Sequence, residues 1–218
     1  IECNVGSFSL EARSECTLCP AGYSSNSTGA SECTPCPPGT SKGAGEGPCF
    51  PCSAGSYAAD YGSSECKLAE AGSFVAVNGS NSAMLCPAGM SSATGVSSCA
   101  NCPVGSFANA AGADSCGRCP PFSTTLGEGG AGCFSCLKDY YFSRFVGGCD
   151  NASALEDFDR CCISCPKGMR CDDPATNTLE LAPLEDGFWR ANEFSTDIYP
   201  CEYDGACEAG ACTPGHRG

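Results

Sequence analysis

Cysteine is the residue type through which this sequence could do the most chemistry. Twenty-three of the 218 residues are cysteines, and many form CxxC pairs such as Cys16–Cys19 and Cys33–Cys36. Successive pairs at this spacing could give a zinc ion four thiolate ligands, a single pair could act as a redox dithiol, and all of them could form disulfides. The spacing of the whole set has to distinguish these three uses.

The cysteines belong to a tandem repeat. Nine units can be aligned over residues 1–149, each with a long loop between two cysteine positions and two residues that join it to the next unit. The period is about 16 to 17 residues, and a unit of that size buries too little apolar surface to be stable without covalent links. The elements that position the cysteines must therefore be short.

Two glycines recur at fixed places in these units. Glycine at fixed offsets predicts positive φ angles or close backbone contacts, as at turns. We therefore expect each unit to be a small hairpin-like loop. The first glycine, three positions after the opening cysteine, is Gly6, Gly22, Gly39, Gly55, Gly72, Gly89 or Gly105, and the second, four before the closing position, is Gly29, Gly45, Gly62, Gly79, Gly95, Gly112 or Gly129.

An aromatic or other apolar residue often follows the first glycine. We expect these side chains to pack on the disulfide of their own unit or on a neighbouring unit, because so small a unit has little else to bury. They are Phe8, Tyr23, Tyr57, Phe74, Met90 and Phe107.

The fifth unit separates the possible uses of the cysteines, because Ala69 and Ala83 stand where its two cysteines belong. If each unit closes its own loop, the alanines remove one complete bond and strand no cysteine. A crossed scheme would strand Cys49 and Cys102, and zinc sites shared by successive pairs would lose one ligand at each of two places. The pattern favours local disulfides over zinc or a redox role: Cys3–Cys16, Cys19–Cys33, Cys36–Cys49, Cys52–Cys66, Cys86–Cys99, Cys102–Cys116, Cys119–Cys133 and Cys136–Cys149.

Composition indicates the compartment and excludes some partners. The cysteine content is typical of secreted disulfide scaffolds, and three sequons at Asn26, Asn78 and Asn151 predict N-glycans. A net charge of −14 with scattered Lys and Arg argues against a nucleic-acid partner. The sequence contains neither an apolar run of membrane-spanning length nor a signal peptide. We expect a mature extracellular or cell-surface protein, or an excised part of one.

Residues 150–218 lose the period and form a second, acidic Cys-rich region. Seven cysteines follow Asp150, and this odd number predicts at least one partner outside the chain, for which we favour Cys212. The adjacent Cys161 and Cys162 are expected to serve two separate bonds. The favoured pairs are Cys165–Cys171 and Cys201–Cys207, although seven cysteines leave many connectivities open.

Other residues of this region are candidates for a core or a metal site. Trp189, with Phe188 and Tyr199, is the expected nucleus of a small core, with an exposed interface aromatic as the alternative. Acidic pairs could ligate calcium, although no EF-type loop is present and solvated charge is the favoured interpretation. These pairs are Asp157 with Asp159 and Asp172 with Asp173.

Catalysis is not expected. His216 is the single histidine, so neither a Ser/His/Asp nor a Cys/His arrangement can be assembled. The glycines recur with the cysteines and precede no helix, which argues against a phosphate-binding loop. We expect no enzyme and no cofactor.

The segments CPAGYSSNSTGASECTPC and CPVGSFANAAGADSCGRC resemble the ephrin-receptor-like Cys-rich repeat, over residues 1–149 and weakly over 162–171. Ala69, Ala83, Phe122 and Asp139 depart from its pattern, the last two by replacing the first glycine. The stretch LEDGFWRANEFSTDIYPCEYDGAC resembles a segment that follows such repeats in very large surface proteins of algae and other protists. The resemblance implies an extracellular, modular, non-enzymatic protein, with an EGF-like unit continuing beyond CTPGHRG.

The expected fold is small and disulfide-rich. It is an elongated tandem array of short β-hairpin-like repeats with little helix over 1–149, of which unit 69–83 lacks its disulfide, followed by an irregular Cys-rich module over 150–218. The units are small and alike, which favours a structural or adhesive rod that assembles with itself or with neighbouring surface proteins. The alternative is a receptor ectodomain that binds a protein ligand along the rod.

Overall fold

A computed structural model describes residues 2–10, 15–143, 161–202 and 207, together with the strand backbone at 208 and 211–212. The chain divides into two compact bodies. The N-terminal body comprises Ile1–Asn101 and Ala110–Cys116, and the C-terminal body comprises Cys102–Asn109 and Gly117–Gly218.

The strands are very short, and in the described residues they pair two by two into antiparallel hairpins in chain order, β1 with β2 through β21 with β22. Strands of two or three residues bury little by themselves, so each hairpin depends on its turn, on its neighbours and, where one is present, on its disulfide. Their bounds are β1 Ser7–Phe8, β2 Thr17–Leu18, β3 Tyr23–Ser24, β4 Thr34–Pro35, β5 Thr40–Ser41, β6 Phe50–Pro51, β7 Ser56–Tyr57, β8 Lys67–Leu68, β9 Ser73–Phe74, β10 Met84–Leu85, β11 Met90–Ser91, β12 Ala100–Asn101, β13 Ser106–Phe107, β14 Gly117–Arg118, β15 Ser123–Thr124, β16 Ser135–Cys136, β17 Tyr140–Phe142, β18 Cys162–Ser164, β19 Phe188–Arg190, β20 Ile198–Pro200, β21 Cys207–Glu208 and β22 Ala211–Cys212.

The first glycine of a unit closes a tight turn at the start of its hairpin. In the third unit Gly39 has φ 84°, and Thr40 donates both its N–H (3.1 Å) and its hydroxyl (2.7 Å) to the carbonyl of Pro37. A residue with a Cβ reaches such a φ only at a steric cost, which glycine avoids. The prediction of positive φ is confirmed for all seven first glycines and all seven second glycines.

The eighth and ninth units keep this turn although they lack the glycine. Phe122 has φ 64° and Asp139 has φ 70°. The carbonyl of Phe122 accepts the N–H of Leu137 at 2.8 Å, and that of Asp139 accepts the N–H of Cys165 at 2.8 Å. These bonds match the one from Cys36 N–H to the Gly22 carbonyl, also 2.8 Å. The departures from the repeat pattern therefore leave the hairpin geometry in place.

The same turn recurs where the period is lost. Gly168 and Gly187 have φ 90° and 85°, and their carbonyls accept the N–H groups of Glu185 and Cys201 at 2.8 Å. The spacing between these turns is irregular, so the sequence period did not reveal them. The C-terminal region therefore contains turns of the repeat type, but the number of residues between them is irregular.

The C-terminal body has a hydrophobic core, which lies away from the expected nucleus. Its buried members are Tyr141, Met169, Cys171, Leu179, Ala182 and Leu184. Trp189 is only half-buried, and it pairs across β19 and β20 with Tyr199 at a ring-centroid distance of 5.5 Å. The expectation of a core centred on Trp189 is therefore corrected: alternation along β19 directs its neighbour Arg190 toward the Leu179 segment and leaves Trp189 on the opposite face.

Candidate functional site

The disulfides form a ladder of local loops. In the N-terminal body the bonds are Cys3–Cys16, Cys19–Cys33, Cys36–Cys49, Cys52–Cys66 and Cys86–Cys99, and the C-terminal body contains Cys119–Cys133, each with a sequence separation of 13 or 14. Cys102 and Cys116 are also disulfide-bonded. The opening cysteine of these bonds is buried, except in Cys119–Cys133, where the closing Cys133 is the buried one. Each bond therefore joins a buried cysteine to a more exposed one.

The ninth unit does not close as expected. Cys136 is bonded to Cys162, with a separation of 26, and not to Cys149, which lies outside the described residues. The reason is the pairing of β17 with β18, which sets Cys162 opposite Phe142 and so places it at the closing position of this hairpin. Cys161 is disulfide-bonded too, so the two adjacent cysteines serve two bonds.

The remaining cysteines lie in the C-terminal body. Cys165 is bonded to Cys171, and Cys201 is bonded to Cys207, each with a separation of 6. Cys212 is described only as part of the β22 backbone, and its partner stays a prediction.

The fifth unit keeps the hairpin without the covalent bond. Ala69 is completely buried, and its N–H donates to the carbonyl of Gly55 at 2.9 Å, as Cys52 N–H does to Gly39. Strand β9 pairs with β10 in the register that β7 keeps with β8. The backbone of this unit is therefore held by hydrogen bonds and packing at the place where other units also have a disulfide.

Hydrogen bonds tie each unit to the next one along the chain. Gly39 N–H donates to the carbonyl of Ala58 at 2.7 Å, and Gly55 N–H donates to that of Val75 at 2.8 Å. In the return direction, Gly79 N–H donates to the carbonyl of Cys52 at 2.7 Å. Each turn glycine is thus both a local conformational requirement and a contact to the neighbouring unit.

A second set of contacts joins each of the first five units to the next but one. A Cβ built on Gly39 would lie less than 3.0 Å from the carbonyl oxygen of Gly79, and one on Gly55 would lie equally close to that of Gly95. Gly22 meets Gly62 and Gly72 meets Gly112 in the same way. The first glycine therefore has two reasons to be glycine, its φ and the backbone against it. Sequence reasoning missed the second reason, because the period does not say which units touch.

The surface carries apolar residues at the positions that join the units. In the N-terminal body Leu68 and Leu85 are more than half exposed, and each lies beside the second glycine of a later unit, Gly95 and Gly112. In the C-terminal body Val104, Leu126 and Leu137 line an open groove of about 440 Å³ whose polar edge is Lys138 and Asp173. These surfaces could contact another protein.

The sequons at Asn26 and Asn78 both lie on exposed loops. Asn78 Oδ1 accepts the N–H of Ala54 at 2.8 Å, which fixes the orientation of its side chain against the fourth unit. Asn151 lies outside the described residues.

The acidic pair Asp172 and Asp173 is engaged in local contacts. Asp172 lies 3.8 Å from Lys138 Nζ, and Asp173 Oδ1 accepts the N–H of Ala175 at 2.9 Å. Asp157, Asp159 and His216 lie outside the described residues. Among the residues that are described, no three His, Cys, Asp or Glu side chains are grouped as metal ligands would be.

Among the residues that the structure describes, three ionisable sites have shifted pKa values with clear causes. The Lys67–Glu70 ion pair, 2.9 Å long and exposed, raises the pKa of Lys67 and lowers the pKa of Glu70, mainly through their hydrogen bond. Burial raises the pKa of Tyr141. Burial also lowers the pKa of Arg190, whose guanidinium donates to the carbonyl of Leu179 at 2.6 Å. Arg190 thereby fastens β19 to the core segment.

Comparison with known proteins identifies part of the repeat region. Residues 6–44 and 89–131 match the family model described as tyrosine-protein kinase ephrin type A/B receptor-like. No curated protein matches the chain. In the part of the chain that the structure describes, no helix is long and apolar enough to cross a membrane. The disulfides and the matched repeats indicate an extracellular or secreted protein with a structural or protein-binding role.

Proposed function

From the premise that residues 6–44 and 89–131 are ephrin-receptor-like repeats, we propose that this chain is a segment of an extracellular rod or stalk with a structural or adhesive role. It has no catalytic activity and needs no cofactor. Its partners are other protein chains, either copies of itself or neighbouring surface proteins. Residues 1–149 supply the repeats, and residues 150–218 form an acidic Cys-rich module.

One observation is the main support for this proposal: successive units are linked by backbone hydrogen bonds and close backbone contacts that recur along the repeats. Gly39, Gly55 and Gly72 each donate to a carbonyl of the next unit, and each meets the backbone of the unit after that. Repeated nearest-neighbour contacts of this kind stabilise a quasi-one-dimensional array. A disulfide within nearly every unit limits how far that array can be deformed, which suits a protein that spaces or bears load.

The sequons support an exposed, extracellular placement. Asn26 and Asn78 project from loops that a glycan could occupy without disturbing a hairpin. We propose that these residues and Asn151 are N-glycosylated, and that the glycans cover part of the array surface.

The alternative function is that of a receptor ectodomain that binds a protein ligand. The groove lined by Val104, Leu126 and Leu137 favours it, because exposed apolar side chains beside a charged pair are typical of protein interfaces. This groove lies in the C-terminal body, so the alternative would place recognition there and leave the other repeats as a spacer.

Electron microscopy of unreduced material from the native source, labelled with an antibody against this chain, would test the two functions. The structural function predicts labelled filaments or wall layers with regular spacing. Discrete labelled monomers that capture a soluble protein ligand, and lose it when Leu126 is changed to Asp, would contradict it and support the receptor. The matched control is Leu181→Asp, because Leu181 is similarly exposed but lies outside the groove.

A further inference from the structure

We propose that the fifth unit is an extension joint: under tension it opens, lengthens the chain without breaking any covalent bond, and closes again when the tension is released. The unit is the segment between Cys66 and Cys86, in which Ala69 and Ala83 replace the two cysteines. The inference rests on the proposed rod function only for the source of the tension, because the extension itself is a property of this chain.

The covalent path through the N-terminal body is short everywhere except at this segment. A unit closed by a disulfide is crossed by a Cα–Cα step of 5.6 to 5.8 Å, as in Cys36–Cys49 and Cys86–Cys99. With the three residue steps that lead to the next unit, such a unit reaches about 16 Å when fully stretched. The twenty residue steps from Cys66 to Cys86 reach about 70 Å.

The contacts that resist opening of the fifth unit are weaker than a disulfide bond. The fifth unit is held by Gly55 N–H to the Val75 carbonyl (2.8 Å), by Val75 N–H to the Val96 carbonyl (3.2 Å) and by the Asn78 side chain on Ala54. All of these are hydrogen bonds, which tension breaks far more readily than a disulfide. The other units have equivalent hydrogen bonds, but their loops stay closed when those bonds break.

The same arrangement explains why the joint would close again. The fourth and sixth units keep their rings through Cys52–Cys66 and Cys86–Cys99, so the surfaces that receive the fifth unit persist while it is open. Val75 and Ala69 are almost completely buried in the closed state. Burial of these side chains and re-formation of the hydrogen bonds favour the closed hairpin once tension falls.

Single-molecule force spectroscopy on the full chain tests the proposal. Handles are attached through azide-bearing residues in place of Glu2 and Asn101, which are exposed and belong to the N-terminal body. Between these points the fifth unit is the long stretch of chain without a cysteine. We expect one reversible lengthening event at the lowest force. Its absence, or an event that does not reverse, would overturn the proposal.

The double variant Ala69→Cys with Ala83→Cys tests the location of the joint. Once mass spectrometry of unreduced peptides confirms the new bond, the event should disappear and the stretched distance between the handles should shorten by about 43 Å. The control is Ala69→Ser with Ala83→Ser, which changes the same positions without a bond and should keep the event. Persistence of the event in the cross-linked variant would place the joint elsewhere and refute the inference.

If the new bond does not form, removal of a bond elsewhere decides the question. The variant Cys86→Ala with Cys99→Ala should add about 40 Å to the stretched length and to the reversible event. An unchanged trace would show that disulfides do not limit extension, which contradicts the proposal. Filaments without a lengthening event would refute the joint alone, and a lengthening event in a chain that forms no filaments would refute the proposed rod alone.

Discussion

The repeats of the N-terminal body and the module at residues 161–202 use the same turn but are stabilised by different means. In the repeats the buried side chains are mostly cysteine, serine and alanine, and the close contacts are between backbones. In the module Met169, Leu179 and Leu184 pack with Tyr141 into an apolar core. The difference shows that the hairpin turn is a common local solution, whereas its stabilisation depends on what surrounds it.

The comparison also separates two kinds of glycine. Gly39 combines a positive φ with a backbone contact from the unit after next, whereas Gly187 has a positive φ and open space around it. At Gly39 the absence of a Cβ is therefore also required by the backbone packed against it, whereas at Gly187 only the freedom to adopt a positive φ matters. A substitution at Gly39 can test the first half of this contrast.

The largest effect is expected at the repeat glycines. Gly39→Ala forces a Cβ onto the backbone of Gly79 and strains φ, which should destabilise the surrounding units by roughly 4 to 5 kcal/mol. Hydrogen exchange of the third to fifth units, read by mass spectrometry, measures the loss. Gly43→Ala in the same unit is the control, because a Cβ there meets nothing within 4 Å. Equal exchange in both variants would contradict the inter-unit contact.

The next effect is expected in the module core. Leu179 is 1% exposed, and Leu179→Ala should cost about 3 kcal/mol through lost burial and the cavity that remains. Leu181, two residues away and 62% exposed, provides the matched control, and its change to alanine should leave stability almost unaltered. Denaturant unfolding followed by Trp189 fluorescence compares the two. Similar midpoints for both variants would show that the module lacks a stabilising apolar core.

The smallest effect concerns the pH dependence of that same core. Burial raises the pKa of Tyr141 above the unfolded value of about 10, so the folded state holds the phenol proton more tightly. This contribution to stability is complete below about pH 10 and is lost as pH rises through the folded pKa. Tyr141→Phe should therefore flatten the fall in stability of the module as the pH rises above about 10. An alkaline unfolding curve identical to that of the unchanged protein would contradict the burial of this phenol as a titrating group.

Local geometry could be predicted from the sequence because it depends on nearby residues. The glycine offsets fix the turns at Gly22 and Gly39, and the paired absence of cysteine at Ala69 and Ala83 indicates loops closed within units. Contacts set by tertiary arrangement could not be predicted. The bond from Cys136 to Cys162 depends on the pairing of β17 with β18. The regular cysteine spacing of the repeats does not predict this pairing.

The core of the module illustrates the same limit. Trp189 is the largest apolar residue of its region, yet the face of β19 on which it lies is turned away from the core. Leu179 and Leu184 come from irregular chain that has no periodic signal. The size and hydrophobicity of Trp189 alone therefore predicted the wrong centre for the core of the module.

The contact between a unit and the next but one has a consequence for how such a chain changes in evolution. Because the first glycines of the second to fifth units each meet the second glycine two units later, duplication or deletion of a whole unit among them replaces one partner with another of the same shape. Gly6 shows the tolerance of this scheme, since it meets Gly47 in the Gly-rich third unit, where other units offer the second glycine. Array length can thus drift by whole units under a genetic mechanism as simple as unequal recombination, without any compensating change in the units that remain.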